Sequence, residues 1–315
     1  MLNLIRNEWM KLWQKKGTWI MAVLLVLILI GASGVTKWSE SNMEQPDNAA
    51  SPEESLAENK ELLMAQMADP NLDVSVKKQL EEEIAIINYR LDQNQVPSED
   101  GSRQQHLLDS HVLLSMVTLF AVIVAGTIVS AEFSQGTIKM LLSRPVKRWK
   151  VLTSKYIASL LYALLLTILA FLATMLAGYL FYSSGSVAIL DYQNNTVVEV
   201  SYWGRILALY SLQLVGIIIY TTFAFMIGSI FRSSSLAIGL SIFLLFVGPN
   251  IVFFLSDYEV AKYIIFAHTD LTGFITGQML LPGITWPFSI AVLSLYMLIF
   301  LTFSYLSFLK SDVKA

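Results

Sequence analysis

The side chains that usually carry out chemistry are scarce in this sequence. Its 315 residues include no cysteine and three histidines, His106, His111 and His268. The His-Glu-x-x-His pattern of zinc proteases, the Gly-x-Ser-x-Gly pattern of serine hydrolases and the Gly-Lys pair of phosphate-binding loops are all missing. Thiol chemistry, cysteine-ligated metals and ATP hydrolysis by such a loop are therefore excluded. We expect a protein that is not an enzyme, with no catalytic residue, no metal site and no cofactor bound by this chain.

The most distinctive chemistry lies in a basic segment, 131–155, in which Glu132 is the one acidic residue. Its basic side chains surround a short apolar run that includes Ile138, Leu141 and Leu142; they are Lys139, Arg144, Lys147, Arg148, Lys150 and Lys155. Gly136 should end the preceding helix, and Pro145 should end a short helix within the segment. A small apolar surface with a basic rim suits docking onto a soluble protein. The charges alone would equally fit an ordinary basic loop of a membrane protein.

Composition places this segment in a membrane protein. Hydrophobic residues make up 55% of the sequence and charged residues 14%, against roughly 45–50% and 25% in soluble domains. Six apolar runs are near the length of about 20 residues that a helix needs to cross a bilayer; they are Thr18–Val35, His111–Ser130, Tyr156–Phe181, Gly204–Ser229, Leu236–Leu255 and Trp286–Phe308. The runs lack the alternation of barrel strands, so we predict an all-α polytopic membrane protein with six transmembrane helices.

The distribution of lysine and arginine predicts the orientation. The amino terminus and the segment 131–155 are rich in these residues, whereas the loops on the other side are acidic or neutral. Basic loops stay on the cytoplasmic side, so both termini are expected there. No ionisable residue lies in the middle of a run, which argues against a carrier driven by protons or sodium.

The amino-terminal residues 1–16 predict an interfacial elbow helix ahead of a first transmembrane helix at 17–36. One face carries Leu2, Ile5, Trp9, Leu12 and Trp13, and the opposite face carries Arg6, Asn7, Lys11 and Gln14. Such a helix would lie in the membrane interface, with its tryptophans at headgroup depth and its lysines among the phosphates. A cleavable signal peptide is the alternative, but it would have no use for this patterned helix.

The residues 37–108 predict an extracellular helical hairpin. This stretch holds fifteen acidic and six basic residues, and Ser51-Pro52 marks a helix start. Apolar residues recur at helical spacing in two groups, first Leu56, Leu63 and Met67, then Leu72, Val76, Leu80, Ile84, Ile87 and Leu91. The two helices should pair as an antiparallel hairpin, serving either as a cap that gates release or binds a partner, or as a simple spacer.

The remaining chain, 109–308, should hold the second to sixth transmembrane helices, followed by a cytoplasmic tail at 309–315. Within it, Gly248-Pro249-Asn250 should kink the fifth helix. The outer region 248–285 also contains the apolar run Ile264–Ala267. It predicts either short helices that re-enter the bilayer or a folded surface loop.

The basic segment resembles the coupling-helix signature of type-two ABC transporter permeases, the membrane subunits of bacterial exporters of drugs, bacitracin and bacteriocins. The resemblance rests on a spaced pattern and extends to the elbow helix and the six spans; the pattern is Glu132, Gly136-Thr137-Ile138, Leu141-Leu142-Ser143, Pro145, Arg148 and Lys155. It implies that a separate ATPase subunit docks on a coupling helix that includes Glu132, Gly136, Thr137, Ile138, Leu141, Leu142, Arg144, Pro145 and Arg148. Glu132 would lie at a pivot, paired with Lys155 or Lys150.

The same resemblance implies a multi-pass protein of the bacterial plasma membrane that acts in multidrug or antibiotic resistance. Its partners would be a homodimer of the ATPase, which binds the ATP and magnesium, a second copy of this chain or a related permease, and membrane lipid, but not nucleic acid. The cargo would be amphipathic or hydrophobic: a peptide antibiotic, a drug or a lipid-like compound. The alternative hypothesis is a membrane sensor or scaffold whose outer hairpin binds a ligand or partner.

Overall fold

A computed structural model describes residues 1–42, 51–70, 72, 74–93, 95, 102–137, 146–185, 188–193, 195–277 and 279–310. This part of the chain is predominantly helical, and six of its helices are long and apolar enough to cross a membrane. The predicted polytopic α-helical class is confirmed. The helices are α1 (Leu2–Gln14), α2 (Lys16–Asn42), α3 (Pro52–Met67), α4 (Val74–Asp92), α5 (Arg103–Asp109), α6 (Ser115–Ser134), α7 (Arg148–Phe181), α8 (Tyr202–Phe231), α9 (Ser234–Phe254), α10 (Gly273–Thr276) and α11 (Trp286–Leu309).

Several membrane helices extend beyond the apolar runs that predict them. The first continues to Asn42, and the second begins at Arg103, where α5, a 3₁₀ turn at Ser110–Leu114 and α6 follow one another. The third begins at Arg148, so the last residues of the basic segment form the first turns of α7. Hydropathy marks the lipid-facing length of a helix, whereas its backbone hydrogen bonds continue until a cap or a breaker.

The chain divides into two compact units. Unit 1 contains Met1–Leu27, Val112–Phe171 and Ser211–Ala315, and unit 2 contains Ile28–His111 and Leu172–Tyr210. Within unit 1, α6, α8 and α9 meet at small residues, Gly126, Gly228 and Ala237. A Cβ atom added to Gly228 would lie 2.3 Å from the carbonyl oxygen of Gly126. Close backbone approach of this kind is common between helices in lipid. There the hydrophobic effect does not drive helices together, so close packing at small residues takes its place.

The region of unit 1 that follows α9 is folded against the membrane helices. Short 3₁₀ turns at Glu259–Tyr263 and Ile265–Ala267 precede α10, and the rings of Tyr220 and Phe266 stack with centroids 6.0 Å apart. The His268 Nε2–H group donates to the carbonyl of Lys262 at 2.7 Å, and its Nδ1 accepts from Ser289 at 2.8 Å. Burial lowers the pKa of His268. The part of this stretch from Ile265 to Thr269 is therefore packed beside the middle of α8, and its re-entry into the bilayer stays a prediction.

Unit 2 contains the predicted helical hairpin. Ser51 and Glu54 form a reciprocal capping box at the start of α3. Leu63 of α3 is buried against Leu80, Ile84 and Ile87 of α4. The other apolar residues of the two predicted stripes surround this core; they are Leu56, Met67, Leu72, Val76 and Leu91. The stripes thus bury each other, as their spacing predicts.

A β-hairpin in unit 2 corrects the all-α prediction. Strands β1 (Ile189–Gln193) and β2 (Thr196–Val200) pair in an antiparallel manner, with Ile189 opposite Val200, and they pack on α4. Asn195 in the turn has a φ of 62°, a left-handed conformation that asparagine tolerates better than most residues. The sequence signal was a pair of asparagines between two β-prone runs, which is typical of a hairpin turn.

Replacing Gly228 with alanine should destabilise the chain, because the new methyl group would overlap the Gly126 carbonyl. Overpacking of this kind costs roughly 1–3 kcal/mol or more. The apparent melting temperature of the purified protein in detergent should fall by several degrees. Gly239→Ala is the matched control, since a Cβ at this α9 position meets nothing within 4 Å. Equal melting temperatures for the two variants would show that α6 and α8 are not in backbone contact.

Candidate functional site

Four charged side chains meet at the base of the basic segment. The Lys155 Nζ atom lies 2.7 Å from the Glu8 carboxylate and 3.0 Å from that of Glu132. The Lys11 Nζ atom lies 3.2 Å from Glu8 and 3.3 Å from Glu132. We call these four residues the charge cluster. Each ammonium group contacts both carboxylates, so the four charges alternate and cancel.

The charge cluster joins three helices. Glu8 and Lys11 lie one turn apart on α1, Glu132 lies in the last turn of α6, and Lys155 lies two turns into α7. On α1, the residues that turn towards the protein are Glu8 and Leu12, which are 5% and 3% exposed. The rings of Trp13 and Tyr162 also meet edge to face, with centroids 6.1 Å apart, which packs α1 along α7.

Burial makes this arrangement energetically demanding. The Lys155 side chain is 1% exposed and that of Glu8 is 6% exposed, so both have lost their water. A buried charge is tolerated only when opposite charges and hydrogen bonds replace its hydration. Burial also opposes the charge on Lys11, but the carboxylates of Glu8 and Glu132 outweigh it and raise the pKa of this lysine. The charge cluster therefore acts as one unit, in which the loss of any member leaves a charge unmatched.

The basic segment leaves α6 through a tight turn. Helix α6 ends at Ser134, and Gly136 has a φ of 71°, the left-handed conformation that commonly follows a helix end. This confirms the predicted break. The Thr137 hydroxyl group donates a short hydrogen bond to the Glu132 carboxylate. The first residues of the segment are thereby tied to the charge cluster.

The structure pairs Glu132 with one of its two predicted partners. Of the two lysines proposed for Glu132, the structure selects Lys155; the Lys150 Nζ atom instead lies 5.7 Å from the centre of the Trp149 ring. Arg148 donates to the carbonyl of Leu309 at 3.4 Å, at the end of α11, where a positive charge is favourable. Five of the predicted docking residues lie outside the described residues: Ile138, Leu141, Leu142, Arg144 and Pro145.

Two members of the charge cluster escaped the sequence analysis. The sequence analysis gives Glu8 no role, and it places Lys11 on the lipid-phosphate face of the elbow helix. That assignment is wrong for Lys11, which contacts two carboxylates. The available signal was a carboxylate at Glu8 with Leu12 four residues later, which places a charge on the same helical face as a buried apolar residue.

Within the described ranges, no three His, Asp or Glu side chains come together as a metal site. The ion pairs of the charge cluster neutralise its four charges and hold the ends of three helices together.

Comparison with known proteins identifies the family. A model described as "Protein of unknown function (DUF2705)" matches residues 64–314, which include Glu132 and Lys155 but not α1. The chain belongs to the DUF2705 family. It is 36% identical over 319 residues to the uncharacterized protein YhcI of Bacillus subtilis (strain 168), covering 99% of each chain. It is also 30% identical over 207 residues to the uncharacterized membrane protein YdbK of the same organism, covering 65% of this chain and 79% of that one. With its six apolar helices, this DUF2705 chain is a multi-pass membrane protein.

Replacing Lys155 with glutamine should destabilise the DUF2705 protein strongly, because Glu8 and Glu132 would face each other without the buried cation between them. Breaking a buried ion pair typically costs roughly 3–5 kcal/mol. The apparent melting temperature in detergent measures the loss. Lys147→Gln removes the same charge from an exposed position and should change little.

A double-mutant cycle tests the coupling directly. Combining Glu8→Gln with Lys155→Gln should cost less than the sum of the single losses, because the double variant buries one unmatched carboxylate fewer than Lys155→Gln. Additive losses would show that the two groups do not interact in the folded protein.

Proposed function

We propose that this DUF2705 protein is the membrane-spanning permease subunit of an ATP-driven ABC exporter. A separate ATPase subunit docks on the segment 131–155 and supplies the energy. The observation that carries the proposal is the coupling-helix pattern from Glu132 to Lys155, together with the charge cluster that joins the two ends of this pattern. The ATP and magnesium belong to the partner, which acts as a homodimer.

The geometry supports the transmission of force from such a partner. A segment that moves two membrane helices needs both of its ends fixed to them, and Glu132 and Lys155 fix these ends to each other at 3.0 Å. Glu8 and Lys11 add α1 to the same body. A force applied to the segment would therefore move the inner ends of α6 and α7 together with the elbow helix. It would not simply move the two helices apart.

Hydroxyl groups join the membrane helices of unit 1, as Tyr156 does with Thr222 at 2.8 Å and Ser229 with Ser304 at 2.9 Å. The absence of ionisable residues from the middle of the apolar runs favours a peptide antibiotic, a drug or a lipid-like compound over a bare ion as the cargo. The proposal places both termini in the cytoplasm of a bacterial cell, and a second copy or a related permease completes the pathway.

The sensor alternative is not favoured by a specific observation. It depends on the outer hairpin binding a ligand or partner, yet the apolar stripes of α3 and α4 are buried against each other.

Reversing two charges of the basic segment should detach the ATPase. In the variant Arg144→Glu/Lys147→Glu, two repulsive contacts replace attractive ones, and complementary interfaces lose several kcal/mol from such changes. We expect an ATPase with a phosphate-binding loop to co-purify with the tagged wild-type protein in mild detergent, in equal amount, and to decrease at least about tenfold in the variant. Mass spectrometry identifies and quantifies the partner, and Arg148 is left intact because it also contacts Leu309.

The matched control is Arg6→Glu/Lys16→Glu, which reverses two exposed basic residues outside the segment. This control should retain the ATPase and its coupled ATP hydrolysis. Retention by the Arg144→Glu/Lys147→Glu variant would overturn the docking assignment. Transport by the purified chain alone, reconstituted without an ATPase, would overturn the function.

A further inference from the structure

A cavity lined by charged and apolar side chains opens beside the charge cluster. It has a volume of about 420 Å³, and the residues that line it include Glu8, Lys11, Lys15, Glu132, Thr137 and Lys155. This volume is within the range of about 300–1,000 Å³ that is typical of small-molecule sites. All of its lining residues belong to unit 1.

Among the described residues that line it, the cavity carries one unmatched positive charge. Its three lysines face two glutamates, and Lys11 and Lys155 already share both carboxylates. The Lys15 ammonium group forms no hydrogen bond or ion pair with another described residue. Lys15 is an exposed residue, but partial desolvation of its ammonium group and the nearby charge of Lys155 lower its pKa. An anionic group in the cavity would oppose this shift by pairing with Lys15.

The position of Lys15 sets the depth of the cavity in the membrane. Lys15 is the extended residue between α1 and α2, where the chain turns from the elbow helix into the first transmembrane helix. Trp13 and Trp19 flank it in sequence, and their rings meet edge to face with centroids 4.8 Å apart. Tryptophan is enriched where lipid headgroups meet the hydrocarbon. Beyond Lys15, α2 exposes apolar side chains, beginning with Trp19 and Ile20.

We propose that this cavity binds the phosphate of an anionic phospholipid, with Lys15 as its principal cation. The one excess positive charge matches the single negative charge of a headgroup such as phosphatidylglycerol. A choline headgroup would add a cation beside Lys15 and cancel the attraction. Basic pockets at helix junctions near the membrane surface are a general means of binding acidic lipids. This inference does not depend on the proposed function, because it concerns the elbow and needs no ATPase.

Native mass spectrometry of the full-length protein, freed of lipid in a neutral detergent, tests the proposal. Phosphatidylglycerol, phosphatidylcholine with the same acyl chains, and inorganic phosphate are titrated separately. Phosphatidylglycerol should bind to the wild-type protein in preference to phosphatidylcholine. Lys15→Gln should weaken phosphatidylglycerol binding about tenfold, the size of one charge-assisted hydrogen bond, whereas Lys15→Arg should retain it.

Lys16→Gln is the matched control, because it removes the same charge from the next residue, which does not line the cavity. Equal effects of Lys15→Gln and Lys16→Gln would reduce the binding to general surface attraction and overturn the site. Equal binding of the two lipids to the wild-type protein would also overturn it, whether or not the variants fold. If inorganic phosphate displaces phosphatidylglycerol at equal concentration, the site binds free phosphate, and the lipid assignment is wrong.

Discussion

The buried ammonium group of Lys155 is the constraint on which the junction of α1, α6 and α7 depends. A lysine that is 1% exposed cannot stay charged without partners, and it cannot find two carboxylates within its own helix. It therefore requires Glu8 from α1 and Glu132 from α6 at the same point. Because these carboxylates would repel each other without a cation, the requirement is mutual. The need to neutralise the buried Lys155 ammonium group therefore brings the ends of α1, α6 and α7 together.

The rest of unit 1 is held by contacts of a different kind. In lipid, apolar side chains gain little by leaving the solvent, so helices associate through close backbone packing and shared hydrogen bonds. Gly126 and Gly228 allow α6 and α8 to approach, and Ser130 bonds to Ser234 of α9 at 3.0 Å. These contacts extend along α6 towards Glu132. Motion at the charge cluster would therefore be transmitted along a tightly packed helix, and this link between packing and charge is the physical basis of the proposed coupling.

The sequence predicted features that arise from local rules. The apolar runs predicted six membrane helices, the spacing of Leu63, Leu80, Ile84 and Ile87 predicted the hairpin core, and Gly136 predicted the end of α6. Features that depend on distant partners were missed. Periodicity cannot show that Glu8 would meet Lys155, because the two residues are 147 positions apart in sequence and only tertiary packing brings them together. The β-hairpin was missed for another reason: its five-residue strands are too short for alternation to outweigh a helical expectation.

The contrast between Lys15 and Lys155 shows how one residue type acquires two roles. Lys155 is buried, and its ion pairs with Glu8 and Glu132 hold α1, α6 and α7 together. The four charges of the charge cluster sum to zero. A neutral cluster attracts an anion only weakly. The electrostatic potential in the cavity is therefore set mainly by Lys15. Lys15 lies at the corner between α1 and α2 and is not needed for the cluster. A ligand bound there would therefore act on the elbow without breaking the ion pairs beneath it. One cavity can thus hold both the ion pairs that join the helices and a bound anion. The charge cluster is neutral by itself, and the anion would be neutralised by Lys15.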